Sequence, residues 1–411
     1  MEPLHGAMRR GRGRILQPRT SPRAARCRLL ILAGFIALPI SLAAGRELVA
    51  DDLYRLQEIT DPQFSPDGQW IAYTVATPDR EADADQTDVW LASWDGKQAI
   101  RMTRSAASEH MPRWSPDGRQ LAFLSDRADA KAGDQIWFLD RAGGEAQQRS
   151  HFESAITGYA WSPDGKRIVF TAEVPAAPED NPEKPAPIVI DRLQFKSDDA
   201  GYLRNERSHL FLMDVATGTV TPLTDGPHDD LQPAWSPDGA QIAFAGSNHA
   251  IYLMLADGSG TRQLTTSTFA YPTPRWSPDG TKIAFLDAPN GYAAIFSINA
   301  DGSGLQQLTD GRTDCYEPVW SPDSTKIAYQ EDVVWAADIM VMNADGSDPR
   351  SLGGGNARPP IWSPDAHYVA FPLLDGNMGG LYAVSLDGAE RLNVTRAAGW
   401  YYPVINPQWR E

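Results

Sequence analysis

The sequence predicts an all-β fold, a seven-bladed β-propeller of four-stranded antiparallel blades. Three observations carry this. First, Phe64-Ser65-Pro66-Asp67-Gly68 returns as a Trp-led phrase at Trp114, Trp161, Trp235, Trp276, Trp320 and Trp362, with Ser324 and Ala366 replacing the Gly in the last two. The serines are separated by 50, 47, 74, 41, 44 and 42 residues; a spacing of about 40–45 matches a propeller blade. Second, a Gly-centred pair follows every phrase: Asp95-Gly96, Gly143-Gly144, Thr217-Gly218, Asp257-Gly258, Asp301-Gly302, Asp345-Gly346 and Asp387-Gly388. Third, the segments between these marks alternate apolar and polar, as in Lys282-Ile283-Ala284-Phe285-Leu286, which is the period of a half-buried strand.

Taken in order, the chain opens on a basic stretch of eight Arg between Arg9 and Arg28. An apolar run from Leu29 follows, and it ends in Ala43-Ala44-Gly45. That order describes a secretory signal peptide over residues 1–45. The run is interrupted by Pro39 and is short for a span of about 20 residues. A periplasmic or secreted protein, with no membrane span after cleavage, is therefore expected. The segment carries eight Arg against one Glu, so the rest of a chain of net charge −16 stands at −23. Such a body repels nucleic acid. Cys315 is the one cysteine beyond the segment, so no intramolecular disulfide and no Cys-based metal site is expected.

Residues 46–57 form a lead-in, and the propeller occupies 58–411. Each unit reads as strand, Ser-Pro-Asp-Gly turn, strand, longer loop, strand, Gly hairpin, strand. Pro presets φ, Asp bonds nearby backbone, and Gly takes φ > 0 where the chain reverses. The Trp is an apolar plate between stacked blades. The fourth strand often ends in Leu-Thr, as at Leu223-Thr224. Seven copies of one Asp argue for scaffold, since catalysis needs one site. The long interval holds an insertion at 173–207, rich in Pro, which reads as a surface excursion or as a flap over one face. Near the end, Tyr401-Tyr402-Pro403-Val404-Ile405-Asn406 echoes Tyr316-Glu317-Pro318-Val319-Trp320-Ser321. It reads as a closing strand or a truncated onward connection.

The phrase, followed by Ile-Ala-Phe and then by Asp-Gly-Ser-Gly and Leu-Thr, resembles the repeats of TolB-type propellers over residues 58–396. The resemblance implies a periplasmic propeller that binds protein partners. A finer likeness lies in Leu53-Tyr54-Arg55-Leu56 with Ile59-Thr60-Asp61-Pro62, and in Asp191-Arg192-Leu193-Gln194-Phe195 through Arg207-Ser208-His209. These are similar to the propeller of acylaminoacyl-peptidase-like members of the prolyl oligopeptidase family, in which the propeller filters access to a hydrolase domain. Two departures follow. The α/β domain that precedes the TolB propeller is not expected in Arg46–Glu58. No Gly-x-Ser-x-Gly elbow occurs, so no catalytic residue of the peptidases maps onto this chain.

The His residues are scattered without metal-ligand spacing, and no cofactor or metal motif appears. The varied positions are those just before each recurring Pro, expected in loops around one mouth of the channel. They are Glu109, His110, Asp230, Gln232, Tyr271, Tyr316, Glu317, Arg358, Tyr401 and Tyr402. Varied polar and aromatic groups on one rim suit recognition. The reading is a non-catalytic binding module for a protein segment or small polar ligand. The alternative is an accessory or truncated propeller of a prolyl-oligopeptidase-like serine peptidase, working with a separate hydrolase chain.

Overall fold

In the computed structural model the phrases and hairpins mark out seven four-stranded antiparallel sheets. The structure describes residues 57–80, 84–131, 133–175, 196–197, 201–202, 206–266, 272–333, 336–354, 360–375 and 378–396. The signal peptide expected at 1–45, most of the lead-in and the tail containing Tyr401 and Tyr402 lie outside them. No α-helix occurs among the described residues.

The first strands of the seven blades are Glu58–Phe64, Glu109–Trp114, Ile156–Trp161, Asp230–Trp235, Arg275–Trp276, Cys315–Trp320 and Ile361–Trp362. Each touches the next, and the seventh touches the first, so the first strands surround the axis. The core is divided in the same way. Seven apolar clusters each join two neighbouring blades, and one sets Ile59, Ile71 and Tyr73 of blade 1 against Ala370, Leu381 and Ala383 of blade 7. Among the described residues every blade is built from its own strands, and the first and last blades meet by packing.

The repeated phrase builds one end of this ring. At all seven turns the Ser Oγ donates to the Asp Oδ1 two residues on, at 2.5–2.7 Å. The same Oγ accepts from the backbone N–H five residues on. The Ser side chains are buried, so each turn places its polar hub inside and satisfies it locally. Gly68 shows why Gly recurs: its φ is +69°, and a Cβ there would stand 3.3 Å from Pro364 of blade 7.

The Trp plates also bond. Trp114, Trp235, Trp276, Trp320 and Trp362 donate Nε1–H to a first-strand carbonyl of the preceding blade at 2.9–3.2 Å. The Leu-Thr ending has a matching cause. Thr103, Thr224, Thr265, Thr309 and Thr395 each accept, through Oγ1, from a backbone N–H of the third strand fourteen residues earlier. The fourth strand is thereby held at its end although it is short.

In an antiparallel blade, the first-to-second and third-to-fourth turns share one end. The second-to-third and blade-to-blade connections share the other. We call these the turn face and the loop face. All the Ser-Pro-Asp phrases and Gly hairpins lie on the turn face. The insertion leaves from Arg167–Pro175 and returns at Glu206–Asp214, so it belongs to the loop face. Of it the structure describes a short pairing of Lys196–Ser197 with Gly201–Tyr202.

Candidate functional site at the loop-face mouth

Each first strand starts at the loop face and ends at its Trp. Three residues before the Trp slot, the pairing register slips in blades 1, 2, 4 and 6. There Asp61, Met111, Gln232 and Glu317 take φ of 48°, 52°, 54° and 49°, and Thr273 takes 39° in blade 5. Each is followed by Pro, which disfavours the α region for the residue before it. Non-Gly residues at positive φ are uncommon, and a bulge re-aims a side chain. The repeated bulge makes the wall of the channel a set of individually aimed side chains.

Those side chains link neighbouring blades. Asp61 Oδ2 lies 2.6 Å from Arg113 Nη1. Gln232 Oε1 accepts from Thr273 N and Oγ1 at 3.1 and 2.8 Å. Glu317 Oε2 lies 3.4 Å from Arg275 Nη2. Blade 3 departs from this pattern. It has Gly158 and Tyr159 where blades 1, 2, 4, 5 and 6 have a residue of positive φ and Pro, and space is open where a Gly158 Cβ would stand. Tyr159 donates its hydroxyl to Met111 O at 2.8 Å, and burial pushes that hydroxyl's pKa up. In the same blade the buried Trp161 Nε1 has no partner.

The residues singled out from the sequence are placed as follows. Glu109, His110, Asp230, Gln232, Tyr316 and Glu317 lie within first strands, not in the expected loops, because pairing with the second strand begins before the Pro. Glu109 is fully buried: its Oε1 accepts from Arg127 Nη2 at 2.6 Å and from Ser105 Oγ. The Arg127 guanidinium lies over Trp137 and Phe123, so Glu109 is part of the wall and presents nothing at the rim. His110 Nε2 stands 3.2 Å from Asp134 Oδ2. Asp230 sits beside His209, with Nδ1 and Oδ2 3.6 Å apart, and burial pushes its carboxyl pKa up. Tyr316 is half-buried, and burial with the nearby Asp314 and Asp332 raises its hydroxyl pKa. Tyr271, Arg358, Tyr401 and Tyr402 lie outside the described residues.

Asp61, Arg113, Thr273 and Arg275 were not picked out from the sequence. The available signal was their place, three and one residues before the Trp slot, where identity varies from blade to blade. Among the described residues no three His, Cys, Asp or Glu side chains converge to hold a metal.

A model of the TolB beta propeller domain matches residues 42–177 and 200–410. The uncharacterized peptidase YuxL of Bacillus subtilis is 29% identical over 222 residues, covering 50% of this chain and 34% of that protein. Dipeptidyl-peptidase 5 of Porphyromonas gingivalis is 26% identical over 257 residues, covering 56% of this chain and 37% of that one. The chain thus spans about a third of the length of these two curated relatives. Among solved structures, an acylaminoacyl peptidase of Pyrococcus horikoshii superposes with TM-score 0.61 at 16% identity, over 84% of this chain and 53% of that one. At that identity the likeness concerns the fold.

Proposed function

The chain belongs to the TolB beta propeller domain family, and from this premise we propose that it is an exported, non-catalytic binding module that takes a protein segment or small polar ligand at the loop-face mouth. One observation carries the reading. The turn face is built from the same Ser–Asp bonds seven times over, whereas the first strands that start at the loop face aim different side chains from five of the blades. Recognition needs chemical variety on a rigid support. The bulged first strands supply both. The Asp61–Arg113 and Glu317–Arg275 ion pairs line the wall with both signs of charge, Gln232 adds an amide, and Tyr316 offers contact area at low entropy cost.

The test is capture from periplasmic extract by the wild-type chain and by a Gln232→Ala/Tyr316→Ala/Glu317→Ala variant. Loss of a captured species with an unchanged melting curve supports the mouth. An unchanged set of captured species overturns it.

A second reading has its own support. The two curated relatives are named as peptidases, and the matched part is about a third of each. In this reading the propeller serves a serine peptidase without contributing its nucleophile. A serine-directed phosphonate separates the two: neither expects labelling of the chain itself. Labelling of a hydrolase chain captured with it favours the second.

A further inference from the structure

A cleft of roughly 310 Å³ opens between blades 3 and 4. Its polar lining includes Thr224, Asp225, His228, Asp230, Asn248 and Tyr252. Leu223 and Phe244 supply apolar wall, and Phe244 stacks on Tyr252 with ring centroids 5.5 Å apart. The volume is that of a small-molecule site, and the lining is mostly polar around a small apolar patch.

The lining holds two carboxylates and no Lys or Arg. Asp230 carries 13% of its side-chain exposure, and behind it His209 is buried with Nδ1 lacking a hydrogen-bond partner. The 3.6 Å between that nitrogen and Asp230 Oδ2 is too long for a hydrogen bond. Asp230 is thus a partly desolvated carboxyl group that faces Thr224, His209 and His228, with Thr224 as its hydroxyl partner and acceptor capacity left over. Asn248 is already engaged, donating Nδ2–H to the Tyr252 hydroxyl at 2.8 Å. This fixes the Tyr252 ring as wall.

We propose that this cleft binds a small organic cation, a protonated amine joined to a short apolar group. The ammonium pairs with Asp230 and Asp225, and the apolar group lies against Leu223 and the Tyr252 ring. A cation supplies the fixed counter-charge that the lining lacks, and an aromatic ring beside it adds attraction. A neutral alcohol of the same shape can give Asp230 a hydrogen bond but no counter-charge, and an anion meets two carboxylates.

The test uses benzylamine, with benzyl alcohol as the neutral match, titrated calorimetrically into the full chain at neutral pH. Saturable binding of the amine, about tenfold or more tighter than of the alcohol, is the expected result, as one charge-assisted hydrogen bond is worth about that much. Asp230→Asn and Asp225→Asn should each weaken the amine and leave the alcohol unchanged. Ser247→Trp, at an exposed turn position, should fill the cleft and remove both. Asp225 and Ser247 are exposed, so their variants keep the test sound if Asp230→Asn unfolds. The triple variant at the channel mouth should bind benzylamine as wild type does, which separates this site from the proposed mouth. Equal affinity for amine and alcohol, no saturable binding, or binding that survives Ser247→Trp overturns the proposal.

Discussion

Replacing Trp320 tests how the blades are held together. Its side chain is 6% exposed and packs in the cluster with Leu286, Ile295, Ile327 and Met342, so blades 5 and 6 both lose contacts when it is removed. Large-to-small truncation of a buried Trp costs about 3–5 kcal/mol. Trp320→Phe keeps most of the plate but deletes the 3.0 Å bond from Nε1 to Arg275 O, leaving a carbonyl short of its partner at a cost of about 1–2 kcal/mol. Trp161 is the internal control. It fills the same slot, but its buried Nε1 has no partner, so Trp161→Phe removes an unsatisfied donor and should fall within about 0.5 kcal/mol of wild type. Urea denaturation followed by Trp fluorescence and far-UV circular dichroism gives all three values. A loss below about 1 kcal/mol for Trp320→Ala would refute the plate as core. Equal losses for the two Phe variants would refute the bond across the blades.

Three further outcomes follow. The Ser65 hydroxyl, Arg141 and the Gln69 backbone hold Asp67 down to about 2, and Ser hydroxyls likewise depress Asp117, Asp164 and Asp238. Folded pKa values below the unfolded value of about 3.9 mean that this stabilisation is complete above that pH and is lost on acidification, so Tm should hold level down to about pH 5 and fall between about pH 4 and 2; a flat profile there contradicts the turn chemistry. Ala366 occupies the Gly slot at φ 60°, so Ala366→Gly should stabilise by about 1 kcal/mol, read from the urea midpoint, and a loss would show that the slot does not strain Ala. The chain alone should neither hydrolyse peptide or ester substrates nor take a serine-directed phosphonate, and stoichiometric labelling of any Ser would overturn the non-enzyme reading.

What was legible in the sequence was what repeats. The Ser-Pro-Asp phrase, the Gly hairpins and the strand alternation each reflect local bonding, and local bonding leaves a mark at fixed spacing. Ser65 and Asp67 are two residues apart, and so is every copy. The channel wall was not legible, because its pairs join different blades. Asp61 meets Arg113 across 52 residues, and Gln232 meets Thr273 across 41. The bulge was hidden for another reason: Met111 and Glu317 adopt a backbone that their residue types rarely choose. Glu109 shows the reverse: a charged residue three before the recurring Pro reads as rim, and Arg127 neutralises it inside the wall. Asp230 reads from the sequence as one of a varied set, and its burial against His209 depends on blades 3 and 4 lying side by side.

The binding role of the loop face is tested most directly by photo-crosslinking. A photoreactive residue replaces Tyr316 on the loop face in one sample, and Thr325 on the turn face in another, with irradiation in periplasmic extract. The expected result is a discrete crosslinked species from position 316 and none from position 325. Crosslinks from 325 with none from 316 would place recognition on the turn face and contradict the proposed function.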